Sequence, residues 1–140
     1  MPIVLDASVL LRWYFEDEDE VASDLLRAIA TERIVVPVHW QSELANGIVV
    51  GERRGRSRPE QVEHLTRLVD HLDLEVESDG AENAFLRILP LARAHRLTVY
   101  DAIYLELAER RGLPLATYDG PLAEAAGFVG LRVLGAGALK

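Results

Sequence analysis

Two apolar patterns alternate along this chain. Short runs of consecutive aliphatic residues mark buried strands, and apolar residues recurring every three or four positions mark helices. Ile3–Asp6 reads as a first strand, followed by a short helix over Ser8–Phe15. A helix over Val21–Ala30 puts Val21, Leu25, Leu26 and Ile29 on one face. Ile34–Pro37 is a second strand, closed by proline, and Trp40–Arg54 a further helix. Pro59 suits the first turn of the next helix, whose apolar face is Val62, Leu65, Leu68, Val69 and Leu72. Leu74–Glu77 alternates as a third strand. Asp79 suits the cap of a helix that runs to about His95 and bends near Pro90. Thr98 caps a helix to Arg111, which Gly112 and Pro114 end. Leu115–Thr117 is a fourth strand, Pro121–Ala126 a small helix ending at Gly127, and Leu131–Leu134 a last strand.

Strands this short, almost wholly aliphatic and separated by helices predict an α/β fold with a parallel sheet covered on both faces. No internal repeat, low-complexity stretch or linker divides the chain, so residues 1–140 are expected to form a single domain. In open parallel sheets, ligands sit beyond the carboxyl ends of the strands, where strand order reverses.

Four acids fall toward that end. Asp6 closes the first strand, and Asp119 lies just past the fourth. Glu43 is in the first turns of the helix after strand two, and Asp101 in the first turn of the helix leading to strand four. Crowded carboxylates raise one another's pKa. A hard divalent cation such as Mg²⁺ or Mn²⁺ removes that cost and suits an all-oxygen site. Each acid alone also fits an ordinary role: Asp6 and Asp119 as helix caps, Glu43 and Asp101 as first-turn acids facing a helix dipole. Those roles do not require all four to share one end of the sheet.

Charge complicates the picture. The net charge of −8 disfavours phosphate binding unless bound cations reverse the local sign. The basic residues are fourteen Arg and one Lys, Lys140, so every interior cation is a guanidinium suited to phosphate or carboxylate; a genome biased toward Arg codons is the better account of this. Cysteine is absent, which excludes disulfides and thiolate metal sites. No apolar run approaches membrane-span length and no secretory leader is visible, so the expected setting is cytoplasmic, away from membranes.

The four acids lie in segments that resemble the PIN-domain family, and within it the VapC toxins of toxin–antitoxin pairs. Ile3-Val-Leu-Asp6-Ala-Ser8 is similar to the first family motif. Val36-Pro-Val-His-Trp-Gln-Ser-Glu43-Leu-Ala-Asn46 is similar to the second. Leu97-Thr-Val-Tyr-Asp101-Ala-Ile-Tyr104-Leu-Glu-Leu-Ala108 is the most specific match, and Leu115-Ala-Thr117-Tyr-Asp119-Gly-Pro-Leu122 resembles the fourth. The four occur in family order across essentially the whole chain. The resemblance implies a five-stranded, mostly parallel sheet in a three-layer α/β/α sandwich, a Mg²⁺ or Mn²⁺ site and endonucleolytic cleavage of RNA. It also implies a homodimer and a cognate antitoxin whose C-terminal segment covers the active site.

Metal-assisted phosphodiester cleavage needs an activated water and stabilisation of charge on the phosphate, and no catalytic His. Asp6 is then the central ligand, with Glu43, Asp101 and Asp119 as direct or water-mediated ligands. Ser8 and Thr117 are candidates to orient a water or phosphate oxygen, and Asn46 to hold Glu43 or a water. The products expected of in-line attack are a 5′-phosphate and a 3′-hydroxyl.

Elsewhere, Glu16-Asp-Glu-Asp-Glu20 reads as a solvated run at the start of the second helix; His39, one turn before Glu43, is within reach of the site but reads better as a partly buried structural residue. His64 and His71 have no obvious third ligand, and His95 lies near a helix end. Trp13, Trp40 and Phe85 read as core or dimer-contact residues. Arg53-Arg-Gly-Arg-Ser-Arg58 is the compact basic patch, either an RNA-backbone clamp or a helix terminus favoured by its dipole. A phosphoacceptor domain would need an interior Lys, an aspartyl phosphatase Asp-x-Asp after strand one, and a nucleotide-binding fold a glycine-rich turn; all are missing. A catalytically silent PIN-like protein-binding module is the remaining alternative.

Overall fold

The structure is a computed structural model that describes residues 1–78 and 84–135. Strands β1 (Ile3–Leu5), β2 (Arg33–Pro37), β3 (Asp73–Glu77), β4 (Leu115–Thr117) and β5 (Val133–Gly135) form one sheet. Their order is β3-β2-β1-β4-β5, and every neighbouring pair is parallel. The helices are α1 (Ala7–Tyr14), α2 (Ser23–Thr31), α3 (Trp40–Arg53), α4 (Val62–His71), α5 (Leu89–His95), α6 (Val99–Arg111) and α7 (Gly120–Phe128).

Successive strand residues face opposite sides of a sheet. All three residues of β1 and all three of β4 are buried, so helices cover both faces and the layers stack α/β/α. Val4, Leu5, Ile34, Val35, Leu115 and Ala116 have no exposed surface. Helix α6 lies against β1, β2 and β4, while α1 touches β4 and packs along α3. The α1–α3 contact is close because α3 carries glycines: a Cβ on Gly51 would stand 2.4 Å from the Phe15 ring. The edge strand β3 is charged, and its Glu75 and Glu77 pair with Arg111 of α6, which blunts that edge against further pairing.

Most expected elements form within a residue or two. Thr98 caps α6 by accepting from the Asp101 N–H at 3.1 Å, and Gly112 ends that helix at φ 63°. Three details differ. The last strand begins at Val133, because the Leu131 N–H closes the end of α7 on the Ala126 carbonyl at 2.9 Å. Helix α7 runs through Gly127 to Phe128 and gives way to Gly130, whose φ of 85° a side chain disfavours. Before Pro90 the chain makes a wide π-type turn over Ala84–Ile88. A proline cannot supply the α-type bond to the residue four back and clashes with its carbonyl, so the regular helix starts only at Leu89. The expected cap Asp79 lies outside the described residues.

Filling the α1–α3 contact tests this packing. Gly51→Val should lower the unfolding free energy by about 1–3 kcal/mol, as overpacked cores do, measured by urea titration. An unchanged midpoint would show that Phe15 moves aside at no cost.

Candidate active site at the carboxyl end of the sheet

The strand order reverses between β1 and β4, whose carboxyl ends lie side by side. Asp6 follows β1 directly, and Thr117 ends β4. Asp6 occupies the N-cap position of α1, but its side chain makes no capping bond. Its Oδ2 accepts instead from the Ser8 hydroxyl at 2.6 Å and the Thr117 hydroxyl at 2.7 Å. Ser8 Oγ in turn accepts from the Tyr118 N–H, and Thr117 Oγ1 from the Asp119 N–H, each at 3.0 Å. Both hydroxyl protons are thus spent on Asp6, and the 3.3 Å approach of Ser8 to Thr117 carries no proton of its own. Gly135 of β5 completes this junction: at φ 101°, a Cβ there would lie 2.4 Å from the Thr117 carbonyl oxygen.

Asp6 is only 4% exposed. Burial pushes its carboxyl above the usual range; the Ser8 and Thr117 bonds oppose this, and repulsion from Glu43 and Asp119 adds to it. Asp101 is pushed up to about 6, first by burial and then by Asp119, Asp6 and Glu43, against a bond from Thr98. The four acids therefore feel one another, although they come from four separate segments. Glu43 and Asp101 lie in the first turns of α3 and α6. Asp119 caps α7 by accepting from the Leu122 N–H at 3.0 Å, so the ordinary structural role is filled there but not at Asp6. Helix N-termini offer partial positive charge to all four. Among the described residues, no arginine pairs with Asp6, Glu43, Asp101 or Asp119.

Two aromatic residues join the cluster that sequence reasoning did not assign to it. The buried Tyr104 hydroxyl donates to Glu43 Oε1 at 2.5 Å. Burial first, then the charge of Asp6 and the bond to Glu43, push this phenol far up, so it stays a donor. His39 Nε2 stands 3.3 Å from the same Glu43 oxygen, and its ring meets the Tyr104 ring edge-on with centroids 5.2 Å apart. His39 thus touches the site, the less favoured of the two readings that its place one turn before Glu43 allows. The spacing of Asp101 and Tyr104, three apart on one helix face, was the available signal.

Asn46 is exposed and lines a cleft with Ser8 and Asp119. The remaining candidates lie away from the acids. Trp40 is in the core, whereas Trp13 and Phe85 are exposed. His71 bonds the Arg67 carbonyl on its own helix, and His95 stacks edge-on with Phe128. The acidic run at 16–20 is exposed, but it precedes α2 and is tied by ion pairs: Asp17 and Glu18 bind Arg56, and Asp19 binds Arg12. Arg56 is thereby engaged within the basic patch, while Arg53, Arg54 and Arg58 stay exposed.

The donor set is all carboxylate oxygen, crowded and, among the described residues, without an arginine partner, which in kind suits a hard divalent ion. Among the described residues, however, no three His, Asp or Glu side chains stand grouped closely enough to hold one as they are. Glu43 is drawn to Tyr104 and Asp119 to its helix end.

A family profile described as the PIN domain matches residues 3–127. The chain is 31% identical over 129 residues to ribonuclease VapC3 of Pyrobaculum aerophilum, covering 89% of this chain and 94% of that protein. Among solved structures it resembles PAE2754 from Pyrobaculum aerophilum, with a TM-score of 0.71 and 21% identity over 99% of this chain and 86% of that one. It also resembles FitAcB from Neisseria gonorrhoeae, with a TM-score of 0.63 and 16% identity over 96% of this chain and 97% of that one.

Crowding of the acids predicts a pH signature. Asp101 titrates higher in the fold than in the unfolded chain, where 3.8 is normal. Its protonated form therefore favours the fold, a contribution complete below about 3.8 and lost as pH rises through about 6. Asp101→Asn should stabilise the metal-free protein more at neutral pH than at pH near 4, measured by urea unfolding in EDTA. An equal effect at both would mean that neither burial nor the neighbouring acids raise the Asp101 carboxyl in the fold.

Proposed function

Since this chain belongs to the PIN-domain family, we propose that it is a Mg²⁺- or Mn²⁺-dependent endoribonuclease, the toxin of a toxin–antitoxin pair. The observation that carries this reading is the placement of Asp6, Glu43, Asp101 and Asp119 at the switch point of the sheet, where burial and neighbouring acids raise Asp6 and Asp101 and, among the described residues, no arginine pairs with any of the four. The name of the curated relative, a ribonuclease at 31% identity, supports the substrate class.

Asp6, Glu43, Asp101 and Asp119 would hold the ion, directly or through water. When bound, it supplies charge neutralisation at the phosphate and a more acidic water. The chain's own residues prepare that chemistry. Ser8 and Thr117 aim the Asp6 carboxylate by fixing one oxygen. Tyr104 fixes one oxygen of Glu43, and the backbone N–H of Leu122 fixes Asp119. Asn46, on the open side of the cleft, is placed to meet a water or the RNA rather than to brace the core. This reading includes a homodimer, an antitoxin segment that covers the acids, and a cytoplasmic setting.

The rival reading is a catalytically silent binding module. It is favoured by one observation: the acids are not gathered for an ion as they stand.

Incubation of purified protein with mixed single-stranded and structured RNAs separates the two. Cleavage with Mg²⁺ or Mn²⁺ that disappears in EDTA and in Asp6→Asn supports the nuclease; no cleavage of any RNA and no heat of metal binding supports the silent module. Tyr104→Phe keeps the ring and removes the proton that holds Glu43. It should weaken Mn²⁺ binding roughly 10- to 100-fold, as loss of a ligand's supporting partner does, measured by calorimetry. Unchanged affinity would show that Glu43 is not a ligand, or needs no such support.

A further inference from the structure

Beside the acids lies a cleft of about 430 Å³. Ser8, Asn46 and Asp119 line its acidic end, and Arg12, Arg56 and Tyr118 also face it. Arg12 is one turn after Ser8 on α1, roughly 6 Å along the helix, and on the same face. Its guanidinium lies 4.1 Å over the Tyr118 ring, and that of Arg56 lies 4.1 Å over the Phe15 ring. Each guanidinium thus rests over an aromatic face, which helps to fix its place beside the cleft.

The guanidinium N–H groups are taken up by the acidic run. Arg56 grips Asp17 in a fork, Nε to Oδ2 at 2.8 Å and Nη2 to Oδ1 at 2.9 Å, and reaches Glu18 Oε1 at 2.8 Å. Arg12 Nε donates to the Asp19 carbonyl at 3.1 Å, and its Nη2 is 3.5 Å from the Asp19 carboxylate. Five consecutive acids, Glu16 to Glu20, repel one another; these two arginines are what offsets that repulsion. Carboxylate and phosphate present the same paired oxygens to a guanidinium.

We propose that Arg12 and Arg56 form the phosphate-binding subsite of the RNA cleft, and that the acidic run at residues 17–19 occupies it as an internal stand-in which RNA displaces. The proposal rests on the ribonuclease reading and adds the path of the strand: from the acids, along the α1–α3 cleft, toward the exposed Arg53, Arg54 and Arg58. The acids the arginines hold are solvent-exposed, so an RNA phosphate, which offers the same paired oxygens, can reach the guanidiniums and compete for them. The exchange explains how a chain of net charge −8 accepts RNA: the local negative charge that blocks the subsite is the part that moves.

The test measures binding of a short fluorescein-labelled single-stranded RNA by anisotropy, in EDTA so that nothing is cut, over a series of salt concentrations. Replacing Asp17→Asn, Glu18→Gln and Asp19→Asn together should tighten binding roughly three- to tenfold. A charge-matched control, Asp70→Asn with Glu109→Gln and Glu124→Gln on exposed helix surfaces, should change it less. Arg12→Gln and Arg56→Gln should each weaken binding and reduce the slope of log affinity against log salt by about 1. If the wild type binds and cuts RNA but the acid variant matches its control, or the arginine variants keep the wild-type slope, the subsite is wrong and the nuclease reading stands. If the wild type binds no RNA either in EDTA or with Mn²⁺, and cuts none with Mn²⁺, both fall.

Discussion

A carboxylate held almost dry at the end of a buried strand is the constraint on which this molecule turns. Asp6 follows three residues with nearly no exposed surface, so it cannot swing into solvent without pulling β1 with it. It is kept in place by two hydroxyls whose own acceptor sites are filled by the backbone of the β4 end. The arrangement needs β1 and β4 to be neighbours and parallel, and it needs β5 close enough that only glycine fits at residue 135. Sheet order, the register of β4 and the placement of Ser8 all meet at one carboxyl group.

That placement costs stability. Burial first, and then neighbouring acids, raise the Asp6 and Asp101 carboxyls, so the metal-free fold carries unfavourable charge at neutral pH. On the proposed reading, function and stability pull in opposite directions here, as they do where a protein keeps like charges together for a ligand that neutralises them. Tyr104 and the helix N-termini soften the repulsion without removing it.

The layout of the fold was legible because its signals are local. Short aliphatic strands, Thr98 before α6 and Gly112 after it each act within a few residues of themselves. The four acids could be placed at one end of the sheet by the same logic, since each stands next to a strand end or a helix start. What escaped notice is what depends on distant pairing. Tyr104 and Glu43 are 61 positions apart, and Arg56 and Asp17 are 39 apart. No periodicity announces such partners, so the bond from Tyr104 and the pairing of the acidic run went unread. The last strand was misplaced for a related reason: Leu131 looks like a strand residue but spends its N–H on ending α7.

The central claim is that the four acids together are a metal site. Crystals of the protein grown or soaked with Mn²⁺ test it most directly through anomalous scattering from the ion. The account predicts a peak liganded by Asp6 and by at least one of Glu43, Asp101 and Asp119, with the Glu43 or Asp119 side chain rotated away from its present partner. Strong Mn²⁺ peaks elsewhere on the protein with none at Asp6 would contradict it.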